Sequence, residues 1–437
     1  MSPAQILGCI GLAQLACAAP TAAPPRAAAA AAPAISGARA FAGAAGWAAA
    51  TPGGRGGRII RVTSLDARGS GTLAAALIAT EPRIVVFEVG GVIDLGGERI
   101  DVREPFVTVA GQTAPPPGIT IIRGGVSIAT HDVVIQHIRV RPGEAGNGKG
   151  SGWEVDAIST TTGAHDVIVD HCSTTWATDE NLSASGHRFD GRTPDDWRQA
   201  TSHRITFSNN IIAEGLSEST HGKGEHSKGS LIHDNVTDMA VIGNLYASNV
   251  ERSPLFKGGA RGVVVNNYIH NTGKSAIKYN LVAGEWGDRP YQLGQLAVVG
   301  NVFTYGPNTP AGVPLVLVAG VGPCEIFLRD NVARDTAGRD VVLLGGRASG
   351  VTVAGAPPVW PAGLEALPAS AVRRHVETDV GARPWDRDAV DARIVREALA
   401  GQGRIIDSEE DVEGYPTGDA ARATRRPFDP AAWSALR

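Results

Sequence analysis

Two acidic pairs and one basic stretch carry the residue types most able to do chemistry. Glu154 and Asp156 stand two apart in "GWEVDAIS", so an extended strand would point both to the same side. Asp179 and Glu180 follow in "WATDENLSA". Carboxylates held this close repel one another unless a cation lies between them. Oxygen donors without a thiol or a clear histidine set favour Ca²⁺ over zinc; the other reading of the same spacing is a solvated acidic rim. Opposite charge comes next. "HGKGEHSKGSLI" holds His221, Lys223, His226 and Lys228, and "NVERSPLFKGGARGVVVNNYIHN" (249–271) holds Arg252 and Lys257. A cation site beside a basic strip is what a polymer bearing carboxylates needs. Each residue also has a plainer reading. Lys223 reads as a flexible surface side chain, His221 and His226 as structural loop residues, and Arg252 as a surface partner of Glu251, a pair worth little. Pro254 fixes its own φ and restricts Ser253, so it holds the Arg252 loop in one shape.

These residues must be positioned by something repetitive. A short apolar run closed by Asn or His recurs in "VVIQHIRV" (His137), "VIVDHCST" (His171), "ITFSNNII" (Asn210), "AVIGNLYA" (Asn244), "VVVNNYIH" (Asn267), "AVVGNVFT" (Asn301) and "IFLRDNVA" (Asn331). The shortest step, Asn244 to Asn267, is the decisive one. At about 3.3 Å per strand residue it supplies three short strands and three bends, one bare coil of a parallel β-helix. Longer steps then carry insertions, which map to surface loops and often to the binding face. Asparagines at equivalent bends can hydrogen-bond up the stack and satisfy buried turn groups. A helical solenoid would need a 3.6-residue stripe, which this region lacks, and a doubly wound sheet would need a crossover of a dozen or more residues between its strands. "RIVVFEVGGVIDL" and "GITIIRGGVSIAT" extend the stack towards the N-terminus. "GTLAAALIAT" (71–80) is expected to be a helix capping that end, since solenoids need such caps. The tail from about Val351 is expected to pack along the outside of the coils, with "WDRDAVDARIVREAL" (385–399) helical.

The chain therefore divides into a leader at 1–19, a linker at 20–36, the β-helix at 37–350 and a tail at 351–437. "MSPAQILGCIGLAQLACAAP" reads as a secretory signal that lacks the usual positive start. It is too short and interrupted for a membrane span, and the Ala/Pro-rich linker reads as disordered. The expected location is thus the periplasm or the medium, as a monomer. Of the 4 cysteines, Cys9 and Cys17 fall in the leader. Cys172 and Cys324 are too few for a disulfide framework and lack metal-ligand spacing, and Cys172 reads as a small core residue. With a formal net charge of −4, the basic balance expected of a nucleic-acid binder is absent. Hydrophobic residues at 43% allow a large core, and 55 glycines with only 5% aromatics suit many tight turns.

Several of these motifs resemble those of the family 1 polysaccharide lyases, the pectate lyases. "VIVDHCS" is similar to the family's Asp-His strand, "KGSLI" to its lysine strand, and "RSPLFKGGARGVVVNNY" to its Arg-x-Pro and Asn-Asn signature. "TPGGRGG", "GSGTLAAAL", "VAGQTAPPPGITI" and "DAVDARIVREALAGQGRIIDS" resemble segments of its bacterial pectate-lyase-like branch, so the likeness runs from about Phe41 to Pro416. The resemblance implies an all-β, right-handed parallel β-helix that cleaves polygalacturonate by calcium-assisted β-elimination. It implies Arg252 as the base, Lys228 and Lys257 as substrate-binding residues, and Glu154, Asp156 and Asp179 as calcium ligands. Lys257 replaces the family's usual second arginine and Glu154 its usual aspartate. Ser183 falls at a position that is usually acidic, where Glu180 could compensate. The competing readings are a lyase of the same kind on another uronate, such as alginate or a glycosaminoglycan, and a non-catalytic β-helix that binds carbohydrate. A hydrolase with paired carboxylates would leave Arg252 and its loop unexplained.

Overall fold

β-Branched residues fill the short apolar runs, and each run becomes a strand buried on both faces. In the computed structural model, which describes residues 37–431, strands such as His165–Asp170, His203–Ser208, Thr237–Ile242 and Arg261–Val265 stack in parallel and in register. The expected leader and linker, with Cys9 and Cys17, lie outside the described residues.

Each coil gives one strand to each of three sheets. Among the described residues the sheets hold 11, 9 and 10 strands, and almost every neighbour in a sheet is three strands away in sequence. That order is a right-handed parallel β-helix. The 23-residue coil is as bare as expected: Leu245–Ala247, Leu255–Lys257 and Arg261–Val265 fall in three different sheets. Val133, Val167, Ile205, Met239 and Leu296 line a continuous interior with Phe207 and Phe256.

The asparagine ladder runs along one bend. Asn210 donates from Nδ2 to Oδ1 of Asn244 at 2.9 Å, Asn244 to Asn267 at 2.9 Å, and the pattern repeats through Asn301 to Asn331. The backbone N–H of each preceding asparagine donates to the same Oδ1. His137 and His171 do not belong to this row. They occupy the preceding bend position, at φ 59° and 47°, which they share with Asn209 and Asn266. Their rings stack 5.0 Å apart, and it is the Cys172 N–H that donates to Asn210 at 2.8 Å. An apolar run ending in polar residues marks the bend without saying which of two neighbours points inward.

The capping helix is shorter than expected, Leu73–Leu77, with the Thr72 hydroxyl accepting from the Ala75 N–H at 3.2 Å. Leu73 and Leu77 are buried in the same core as Val85, Phe87 and Val102. The sheet stack continues through Val351–Val353. Helices Ala369–Asp379 and Ala389–Ala400 then lie against Leu245–Ala247, Tyr268–His270 and Val302–Thr304, on the outside of the 10-stranded sheet. Their apolar faces form a second core with Ile211, Leu245 and Tyr268. Beneath them Asp391, fully buried, meets Arg141 at 2.8 Å and Arg139 at 3.2 Å, and accepts from the Ser173 hydroxyl at 2.7 Å. The chain finally returns to the first coils, where Thr424–Arg425 pairs antiparallel with Val89 and Gly90. Cys172 and Cys324 are free and buried, and no helix among the described residues is long and apolar enough to cross a membrane.

Candidate active site

Stacking puts distant residues into one row. Glu180, Lys228 and Glu251 come from three successive coils and pair in parallel register just before strands Leu182–Ala184, Leu231–Ile232 and Leu255–Lys257 of the 9-stranded sheet. Lys228 is buried between the two acids, and its Nζ donates to Glu251 Oε1 at 2.8 Å while Lys278 reaches Oε2 at 3.3 Å.

Arg252 follows Glu251 and turns the other way. Its φ is 66°, a left-handed backbone that costs a non-glycine residue about 1–3 kcal/mol and persists where surroundings enforce it. The Ser230 N–H donates to the Arg252 carbonyl at 2.6 Å, and the Lys278 N–H to the Pro254 carbonyl at 2.9 Å. Gly229 allows this approach: a Cβ there would stand 2.4 Å from the Arg252 carbonyl oxygen. The Ser253–Pro254 peptide is cis. The Arg252 guanidinium, 20% exposed, forms an ion pair with Glu180. Arg252 thus pairs with Glu180 and not, as expected, with Glu251, whose carboxylate is taken by Lys228 and Lys278. Burial lowers the Arg252 pKa, and Asp179, Asp156 and Glu285 pull it back up.

The acidic residues are only partly reunited. Asp156, Asp179 and Glu180 bring carboxylate oxygens within 4.8 Å of one another. Asp156 accepts from the Glu180 N–H at 2.9 Å and from the Ser183 hydroxyl at 2.5 Å. Burial first, and the charge of Asp179 second, push its carboxyl up to about 8. Asp179 also feels burial, yet the hydrogen bond from His226 and the nearby positive charges hold it below the usual carboxylate value. Glu154 stands outside the trio. It is exposed and accepts from the Gly222 N–H at 3.1 Å, with His221 Nδ1 at 3.4 Å.

Of the basic residues, Arg252 pairs with Glu180 of this trio and Lys228 lies in register beside Glu180 with its Nζ on Glu251, while Lys257 does neither. Lys257 is buried against Glu285 and lies 3.8 Å from Asp234, both of which also bind Arg188. Lys223 is exposed. His221 and His226 are buried and stack 3.6 Å apart beside Asp179. Sequence reasoning named Glu251 only as a surface partner of Arg252, not of Lys228, and did not find Glu285 or Asp234 as partners. Only Glu251, next to Arg252, carried a local signal.

The arrangement offers three oxygen donors for a hard cation, a buried lysine beside them, and a guanidinium poised at their rim. Cation, lysine and arginine together can neutralise the carboxylates of an anionic polymer.

No family model matches the chain. Curated relatives do. The chain is 38% identical over 272 residues to a probable pectate lyase C of Aspergillus terreus, covering 62% of this chain and 55% of the relative. It is 31% identical over 386 residues to a probable pectate lyase C of Emericella nidulans, covering 86% of this chain and 80% of the relative. The chain thus spans about half the length of the Aspergillus terreus relative. Among solved structures, Jun a 1, the major allergen from cedar pollen, superposes with a TM-score of 0.52 at 16% identity, covering 76% of this chain and 90% of that one. A pectate lyase superposes with a TM-score of 0.51 at 15% identity, covering 78% and 97%. Both share the fold.

Proposed function

Because the chain belongs to the pectate lyase family, we propose that it cleaves polygalacturonate by β-elimination with calcium as cofactor. The observation that carries this reading is the pairing of Arg252 with Glu180 at the rim of the acidic trio. Asp156, Asp179 and Glu180 fit a calcium ion, since they supply hard oxygens alone and lie close enough to share one cation. When bound, calcium supplies positive charge to the substrate carboxylate and so acidifies the adjacent carbon.

The chain's own residues do the rest. Lys228 gives a fixed ammonium beside the same carboxylate, stabilising the charge that develops as the proton leaves. Arg252 takes the proton from C5; the C5 electron pair forms the C4–C5 double bond, and the C4–O4 bond breaks with its pair on O4, which takes a proton from water to leave as a hydroxyl. An arginine is a base only when neutral. Burial lowers the Arg252 pKa and so moves it towards the neutral guanidine, against the pull of Asp179, Asp156 and Glu285. Lys257, held by Glu285, positions the strand beside Arg252, and Glu154 serves the neighbouring histidine loop. The leader at 1–19 directs export, and the mature chain's mass should match a start after about Ala18; an intact Met1 on exported protein would overturn that.

The direct test is ultraviolet absorbance of unsaturated products across polygalacturonate, methylated pectin, alginate and glycosaminoglycans, with and without chelator. Polygalacturonate should give the largest signal, abolished by chelator and restored by calcium. Turnover only on another uronate would reassign the substrate, and binding without turnover would remove the lyase reading.

A further inference from the structure

His221 and His226 stack beside Asp179, and lysis does not use them. His226 Nε2 lies 2.7 Å from Asp179 Oδ1 and His221 Nε2 lies 3.7 Å from the same oxygen. His221 is fully buried, and its Nε2 has no hydrogen-bond partner. All three ligand atoms fit within 4.8 Å. Tetrahedral bonds of about 2.0–2.1 Å would set ligand atoms roughly 3.3 Å apart, and the two measured separations bracket that value.

The geometry points to a second metal site, for a borderline divalent d-block cation of the zinc class, formed by His221 Nε2, His226 Nε2 and Asp179. Two imidazole nitrogens and one carboxylate suit such an ion and suit calcium poorly. Glu154 supports the assignment. A metal-bound imidazole carries its proton on the other nitrogen and gives it to a carboxylate, and Glu154 Oε1 lies 3.4 Å from His221 Nδ1. In the metal-free chain Nδ1 instead accepts from the Lys223 N–H at 3.1 Å. Metal binding therefore moves the His221 proton from Nε2 to Nδ1 and releases that amide. The stacked rings must rotate slightly to aim both Nε2 lone pairs at one ion. The result is a clip tying the 217–227 loop to the Asp179 loop. It does not depend on the calcium reading, although Asp179 would bridge the two ions if both were bound.

The test uses the whole protein stripped with chelator and titrated with Co²⁺ as a spectroscopic probe, with Zn²⁺ in competition. One equivalent of Co²⁺ should bind with the visible bands of a nitrogen-ligated, low-coordinate ion, and Zn²⁺ should displace it. His226→Gln and His221→Gln should each weaken binding at least tenfold, whereas Asp156→Asn should leave the spectrum unchanged while weakening calcium. Anomalous diffraction from wild-type crystals soaked in Zn²⁺ gives a reading independent of any variant's folding, with a peak expected among Asp179, His221 and His226. Absence of that peak, a peak among Asp156, Asp179 and Glu180 instead, or Co²⁺ binding indifferent to both histidines would overturn the site.

Discussion

Arg252 is an unusual residue to ask for proton abstraction, and its surroundings define a sharp test. Arg252→Lys keeps the charge but shortens the reach and loses the planar fork. Proton transfer needs contact near hydrogen-bond distance, so kcat on polygalacturonate should fall by about 100-fold or more, with KM within a few-fold of wild type. A mainly raised KM would make Arg252 a binding residue, because uniform binding acts on ground and transition states alike. Asp156 gives a second test without substrate. Its folded-state pKa stands at about 8, above the roughly 3.9 of an unfolded aspartate. A carboxyl raised on folding binds its proton better in the folded state. Its contribution is whole below the unfolded value and is lost as pH rises through about 8. The chelated protein should therefore lose thermal stability between roughly pH 5 and 8, and calcium should reverse the loss. Asp156→Asn should flatten that slope in differential scanning calorimetry; an unchanged slope would assign it to other groups.

At the scale of elements, the ladder holds the bend from which each strand departs. Asn267 accepts at Oδ1 from both the backbone and the side chain of Asn244, and donates to the Val241 and Val265 carbonyls. Asn267→Ala leaves buried partners unsatisfied, so it should cost about 1–3 kcal/mol or more, read as a lower denaturant midpoint. Asn209→Ala, at the bend position outside the ladder, should cost less; equal costs would deny the ladder its special role. The 23-residue coil was legible because period-two strands, short bends and a fixed Asn offset leave few other arrangements. The ladder's first rung was not, because His171 and Cys172 both follow the strand and only the backbone's left-handed turn decides which faces inward. The Arg252–Glu180 pair was equally hidden. It joins residues two coils apart across Lys228, and the lengths of the intervening loops give no register. Ser183 was visible at an acidic position, but its hydrogen bond to Asp156 follows only from the stacking.

For the molecule as a whole, the tail acts as a brace along the coils. It leaves the last strands, crosses the 10-stranded sheet as two helices and ends by pairing with the first coils. A helix of charged and apolar residues was readable at 385–399, but the sequence did not show what would anchor it. The anchor is electrostatic and largely buried. Asp391 is fully buried between Arg139 and Arg141, themselves buried, with Asp388 completing the neutralisation. Such a cluster adds little net stability when intact, since desolvation offsets attraction, yet breaking it strands a buried charge. Asp391→Ala should therefore cost about 3–5 kcal/mol and loosen both helices. An exposed pair on the same tail, Arg374 with Glu377, sets the comparison, and Glu377→Ala should cost less than about 1 kcal/mol. Limited proteolysis distinguishes local from global loss. In the Asp391 variant, early cleavage should fall within residues 354–400 while the coils stay resistant, because the interior core of the β-helix does not include that cluster. Simultaneous digestion of coils and tail would show instead that the tail is required for the β-helix to hold together at all, and an unchanged pattern would mean that Asp388 alone suffices to neutralise the two arginines.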